Sequence, residues 1–213
     1  MTSALVLSGG VAPFVDPWHP FAATSERIAG LLRGLGMTVA VRTDVAEAAA
    51  DLDGVDLLVA NTPTPDGWGA DAAAEESLRA FAERGGSILA LHVGVTGLLG
   101  SPTFASLIGA HWVQGQTMHP PLGPATVTAE GRSFTIHDEL YTRLAFDAEP
   151  DVLVDHEFEG ERHPLVWARE VGPTRVVADA LGHGTESFDS PGHIDVLERS
   201  ARWLARETET AHS

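Results

Sequence analysis

The sequence predicts an α/β fold, a mostly parallel sheet with helices on both faces. Three observations carry that expectation. Short apolar runs recur at Ala4–Leu7, Asp56–Ala60 and Ile88–Leu91, the pattern of strands buried on both faces. Amphipathic stretches alternate with them, at 24–35 and 72–84. Glycines close those stretches, at Gly34 and Gly36 and again at Gly85-Gly86.

Taken in order, Ala4–Leu7 is the first strand, ended by Ser8-Gly9-Gly10. A polar and aromatic loop, 11–21, carries Asp16, Trp18 and His19. Thr24-Ser25-Glu26 opens a helix with Ile28, Leu31, Leu32 and Leu35 at helical spacing. Strand 37–42 alternates Val39 and Val41, and 45–52 is short, Ala-rich and helical in pattern. The third strand closes on Asn61 and a Pro-Gly loop at 62–69. Helix 72–84 turns Leu78, Phe81 and Ala82 inward, and the strand Ile88–Leu91 leads to His92.

The second half changes character. A helical turn at 104–108 precedes a loop at 110–126, and shorter strands follow at 125–128, 134–136 and 151–154. A hairpin pairs 164–168 with 174–178 around Gly172-Pro173, so the sheet gains an antiparallel extension. Helix 194–207 closes the fold, and the tail 208–213 is expected to fray. No repeat or linker divides the 213 residues, so the chain reads as one domain, 1–213.

Composition narrows the function. The net charge is -17, from 30 acidic and 13 basic residues, all of the latter arginine. Such an acidic chain lacks the basic footprint that nucleic acid or an anionic membrane requires. There is no cysteine, which removes disulfides, thiolate catalysis and thiolate metal sites together. No apolar run approaches the ~20 residues of a membrane span. A cytoplasmic location and a homodimer are the default expectations.

The stretch from Gly85-Gly86 through Leu91-His92 to Gly94 and Gly97 is the most informative. A strand, a sharp turn and a run of small residues form an elbow that aims one side chain at the crevice beyond the sheet's carboxyl edge. Here that side chain is an imidazole. With the late strand leading to Gly182-His183-Gly184, this resembles the flavodoxin-like, doubly wound fold of the class I glutamine amidotransferases. There the elbow holds a cysteine that a late histidine activates, and the match puts His92 and His183 at those two positions. Without a thiolate, thioester chemistry is excluded.

A second resemblance covers nearly the whole chain. Leu91-His92, Phe104 with Gly109, Met118-His119-Pro120, Asp138-Glu139-Leu140-Tyr141, Pro164 to Trp167 and Leu181-Gly182-His183 are similar, in order, to the ThuA-like (trehalose utilisation) family. The resemblance implies carbohydrate metabolism, with a disaccharide or a keto-sugar as substrate.

The expected catalytic set is His92, His183 and Glu139, groups suited to acid-base work beside a sugar carbonyl or hydroxyl. Two prolines after His119 fix its direction. The expected substrate contacts are Trp18, whose ring could stack on a sugar, His19, Asn61, His119 and Tyr141. Three imidazoles, His92, His119 and His183, with a carboxylate nearby, match the ligand chemistry of a divalent metal such as zinc. No cofactor is required, because the same groups form a metal-free acid-base set. His111, His163 and His193 are background. Hydrolase, lyase and isomerase chemistry all fit these residues. The alternative is a non-catalytic sugar- or partner-binding protein on the same scaffold.

Overall fold

The computed structural model describes residues 1–69 and 71–207, so the tail expected to fray, 208–213, lies outside the described residues. In chain order the elements are β1 (Ser3–Ser8), α1 (Phe21–Gly34), β2 (Thr38–Arg42), α2 (Val45–Ala49), β3 (Leu57–Asn61), α3 (Ala72–Glu83) and β4 (Ser87–Leu91). A short 3-10 turn, His92–Thr96, leads to α4 (Pro102–Ile108). Then come β5 (Ala110–His111), β6 (Gly123–Ala129), β7 (Arg132–Asp138), β8 (Ala145–Phe146), β9 (Asp151–Phe158), β10 (Glu161–Val171) and β11 (Thr174–Asp179). A second 3-10 turn, Thr185–Asp189, precedes α5 (Pro191–Leu204).

The main sheet runs β2-β1-β3-β4-β11-β10-β9-β6-β7. From β2 to β11 every pairing is parallel, in the flavodoxin-like order with β11 as fifth strand. From β11 to β7 every pairing is antiparallel. β5 and β8 form a separate two-stranded ribbon.

Strand alternation sorts the core into two layers. Leu5, Leu7, Leu58, Ala60, Ile88 and Ala90 face α2, α3 and α4. Ala4, Val6, Leu57, Val59, Leu89 and Leu91 face α1 and α5 on the other side. α5 also covers the antiparallel strands through Val127, Ile136 and Val154. No helix among the described residues is long and apolar enough to cross a membrane.

Several boundaries differ from the sequence expectation for local physical reasons. α1 starts at Phe21, three residues early, because Thr24 and Ser25 do not cap it. The Ser25 hydroxyl donates inward to Ser8 Oγ at 2.8 Å, and Thr24 Oγ1 accepts from Asn61 Nδ2 at 2.9 Å. α4 starts at Pro102 because the Ser101 hydroxyl caps the Phe104 amide. β9 and β10 extend to a Glu159-Gly160 turn, both residues at positive φ. Their charged outer faces hide the strand pattern.

Candidate functional site

Three loops at the carboxyl edge of the parallel strands deliver the site. His19 comes from the loop after β1, His92 from the end of β4 and His183 from the turn after β11. Glu139 and Tyr141 follow β7. His92 stands at φ 46°, in the left-handed region that a residue with a Cβ enters only under strain. The elbow is pressed against β3: a Cβ on Gly94 would sit 2.2 Å from the Ala60 carbonyl oxygen. The histidine is thereby turned off the strand and into the crevice.

The three imidazoles surround one space, with ring centres 4.9 Å apart for His19–His92, 4.7 Å for His19–His183 and 5.2 Å for His92–His183. One ligand-type atom each from His19, His92, Glu139 and His183 lies within 4.8 Å of every other. The outer hydrogen bonds fix the tautomers. His92 Nδ1 donates to the Ala180 carbonyl at 2.9 Å, and His19 Nδ1 donates to Asp16 at 2.7 Å. Neither Nε2 then carries a proton, yet the two face each other at 3.1 Å, with only the Tyr141 hydroxyl among the described residues, 3.3 Å from His92 Nε2, offering a donor to either. Two lone pairs at that distance repel unless a proton or a cation lies within reach of both. Tetrahedral zinc, with Zn–N of about 2.0–2.1 Å, holds its nitrogens ~3.3 Å apart. The third imidazole adds to the case: His183 Nδ1 is buried and makes no well-aligned hydrogen bond, with Glu139 Oε2 3.3 Å away. Carbonyl-backed and carboxylate-backed imidazoles are also the usual outer shell of metal-ligating histidines. The donor set fits a divalent cation of the zinc class.

Burial presses Glu139 upward, but the imidazoles of His92, His183 and His119 outweigh it and hold the carboxyl below its ordinary range. Its Oε2 lies 3.3 Å from His183 Nδ1 and 3.7 Å from His92 Nε2, while Oε1 lies 3.6 Å from His119 Nδ1. Burial lowers His19, opposed by its bond to Asp16 and reinforced by the neighbouring imidazoles. That keeps His19 neutral near pH 7, the form a metal takes. The Tyr141 hydroxyl donates to His92 Nε2 at 3.3 Å. Burial, and then the Glu139, Asp138 and Asp16 charges, raise Tyr141 well above its ordinary value, so it remains a donor at neutral pH.

The structure therefore brings together His19, His92, Glu139, His183 and Tyr141, and it sets His119 and Asn61 apart from the imidazoles. His119 stands outside the imidazole cluster, 3.6 Å from Glu139 Oε1 and with its ring centre 6.1 Å from that of Tyr141, and His19 is the third imidazole of the group. Asn61 faces inward instead of toward a ligand: its amide is spent on Thr24 Oγ1 and Ser25 Oγ, both at 2.9 Å. Trp18 is 72% exposed on the same loop as His19. Sequence reasoning missed the Asp16–His19 pairing, although Asp16-Pro17 is a turn signal. Asp16 Oδ1 accepts from the Trp18 and His19 amides at 2.9 Å, an Asx turn that also aims the imidazole.

Two buried histidines outside the cluster shape the pH dependence of stability. Burial depresses His156, only partly offset by its bond to the Tyr141 carbonyl. A depressed folded value means the unfolded chain binds more protons, so this contribution is present above about pH 6.5 and is lost as pH falls further. His193 is opposite: burial lowers it, but Asp179 more than compensates and its value is raised. Its contribution is present below about pH 6.5 and is lost as pH rises through the folded value. Urea midpoints measured across pH should fall on both sides of that point, and His193→Gln should flatten the alkaline limb only.

The sequence profile of a family described as "ThuA: Trehalose utilisation" matches residues 14–204. Comparison with curated protein sequences gives no match. Among solved structures, a ThuA-like protein from Parabacteroides merdae superposes with a TM-score of 0.77 at 17% identity, covering 96% of this chain and 90% of that one. One from Bacteroides uniformis gives 0.72 at 16%, covering 98% and 93%. A GMP synthase-like protein from Thermoplasma acidophilum gives 0.54 at 16%, covering 97% and 95%. At these identities the likeness establishes the fold alone, here the amidotransferase-like one.

Proposed function

The chain belongs to the ThuA family, whose description is trehalose utilisation, and on that premise we propose that it is an enzyme acting on a disaccharide or keto-sugar. His19, His92 and His183 would hold a divalent cation, and Glu139 would move a proton. The observation that carries the reading is the pair of facing Nε2 acceptors, 3.1 Å apart, beside a buried His183 Nδ1 that makes no well-aligned hydrogen bond. A bound cation supplies Lewis acidity toward a carbonyl or hydroxyl oxygen. Glu139, held ionised by its imidazole neighbours, accepts the proton from a carbon or hydroxyl of the sugar. Tyr141 keeps its proton, and with the His92 lone pair taken up by a cation its hydroxyl would be free to donate to the sugar. His119, with its side chain 36% exposed, contacts the second Glu139 oxygen from the solvent side. Trp18 extends the rim from the His19 loop and offers an apolar face to a sugar ring.

The test is a turnover screen of trehalose, other disaccharides and their keto forms, with and without prior chelation. The expected result is turnover of at least one of them that chelation removes and zinc or cobalt restores. Saturable sugar binding with no turnover would replace the enzyme by the binding-protein reading. Turnover indifferent to chelation would leave only the metal-free acid-base set.

A further inference from the structure

Next to the imidazole cluster lies a second, buried polar assembly. Asp138 is 2% exposed, and Asp179 and His193 are fully buried. His193 Nε2 donates to Asp179 Oδ2 at 2.9 Å, and its Nδ1 donates to Ser187 at 3.1 Å. The Ser187 hydroxyl passes the chain on, donating to Asp138 Oδ2 at 2.5 Å. The two carboxylates also grip the turn that carries His183. Asp179 Oδ1 accepts from the Leu181 amide at 3.0 Å. Asp138 Oδ2 accepts from Gly182 at 2.7 Å and its Oδ1 from His183 at 3.1 Å. Three successive amides are thus held, and Gly182 reaches the required backbone at φ 105°. Asp138 Oδ1 also accepts from the Glu139 amide at 2.8 Å.

Two buried carboxylates and one imidazole are costly to desolvate, and apolar side chains of similar volume would generally be neutral or better for stability. What the network provides is registration. β7 and β11 are four strands apart in the sheet, yet Glu139 follows one and His183 follows the other. We propose that Asp138 is a positioning residue that ties the Glu139 and His183 segments into one unit, with Ser187, His193 and Asp179 as its support. The inference rests on His183 and Glu139 being site residues, as in the function proposed above, but on no bound metal. Asp138 is 2% exposed and acts through the Glu139 and His183 amides that it holds.

The experiment compares the chain with Asp138→Asn, which keeps the shape but turns an NH2 group toward the amide and hydroxyl donors. Metal-free protein labelled with 15N-histidine is read by NMR, alongside amide exchange. The expected result is shifted His183 ring resonances and exchange about tenfold or more faster at Gly182 and His183, while His92 and His19 keep their signals. Zinc affinity, titrated on the same samples, should fall about 10–100-fold. Unchanged His183 signals would overturn the inference, as would equal shifts across all three histidines, which mark general damage. If Asp138→Asn does not fold, Ser187→Ala takes its place: the same pattern at smaller size supports the inference, and an unmoved His183 overturns it. A wild-type chain that binds no zinc would defeat the metal site while leaving the His183 readout decisive for Asp138.

Discussion

Replacing His92 by alanine should lower turnover by about 10²–10⁴ while leaving a folded protein. The imidazole supplies one of two facing Nε2 acceptors, so its loss removes a ligand and the Tyr141 partner together. The fold should tolerate the change. His92 makes two buried hydrogen bonds, to the Ala180 carbonyl and from the Tyr141 hydroxyl, and the net worth of each is about 1 kcal/mol. Its backbone strain gives a second variant. Because His92 sits at φ 46°, His92→Gly should recover part of the lost stability while remaining equally inactive. Circular dichroism melts and rate measurements on both variants separate the two effects. Wild-type turnover by either variant would remove His92 from the mechanism. His183→Ala should show a similar loss of turnover, since it removes the imidazole that faces His19, His92 and Glu139.

Gly94→Ala should damage stability and site at once. The new methyl would lie 2.2 Å from the Ala60 carbonyl, and that carbonyl belongs to β3 in the middle of the parallel strands. Neither side can yield cheaply, so a cost of about 1–3 kcal/mol is expected, together with a displaced elbow. Urea unfolding reads the first and zinc titration the second. Gly30→Ala is the matched control. It adds the same methyl on exposed helix α1 with nothing within 4 Å, and should stabilise by about 0.5–1 kcal/mol. Equal behaviour of the two variants would rule out the close approach at the elbow.

The parallel half of the fold was legible because its strands are apolar on both faces and its helices are punctuated by glycine. Ile88–Leu91 and His92 could be read as strand and elbow from the sequence itself. The antiparallel half was legible only in outline. In 155–163 only His156 and His163 are buried, among charged and exposed neighbours, and their pairing across two strands leaves no local signal. The site divides the same way. His92 and His183 follow apolar strands, so their exit at the carboxyl edge follows from topology. His19 against His119 could not be decided, because each lies in a Pro-containing loop whose path depends on tertiary contacts. Asn61 looked like a substrate contact because it ends a strand at the crevice. The nearby hydroxyls of Thr24 and Ser25 claim it instead. His193 is 14 residues from Asp179, so a buried ion pair was invisible in the sequence.

Everything proposed for the reaction depends on three imidazoles from three loops forming one cation site. Calorimetric titration of chelator-treated protein with zinc at neutral pH decides whether they do. The wild type should take up one equivalent per chain, with proton release growing as pH is lowered toward the imidazole range. Binding should be lost in His92→Ala and His183→Ala and retained in His119→Ala. A wild-type chain that takes up neither zinc nor cobalt, or a His19→Ala variant that binds as tightly as the wild type, would refute the site.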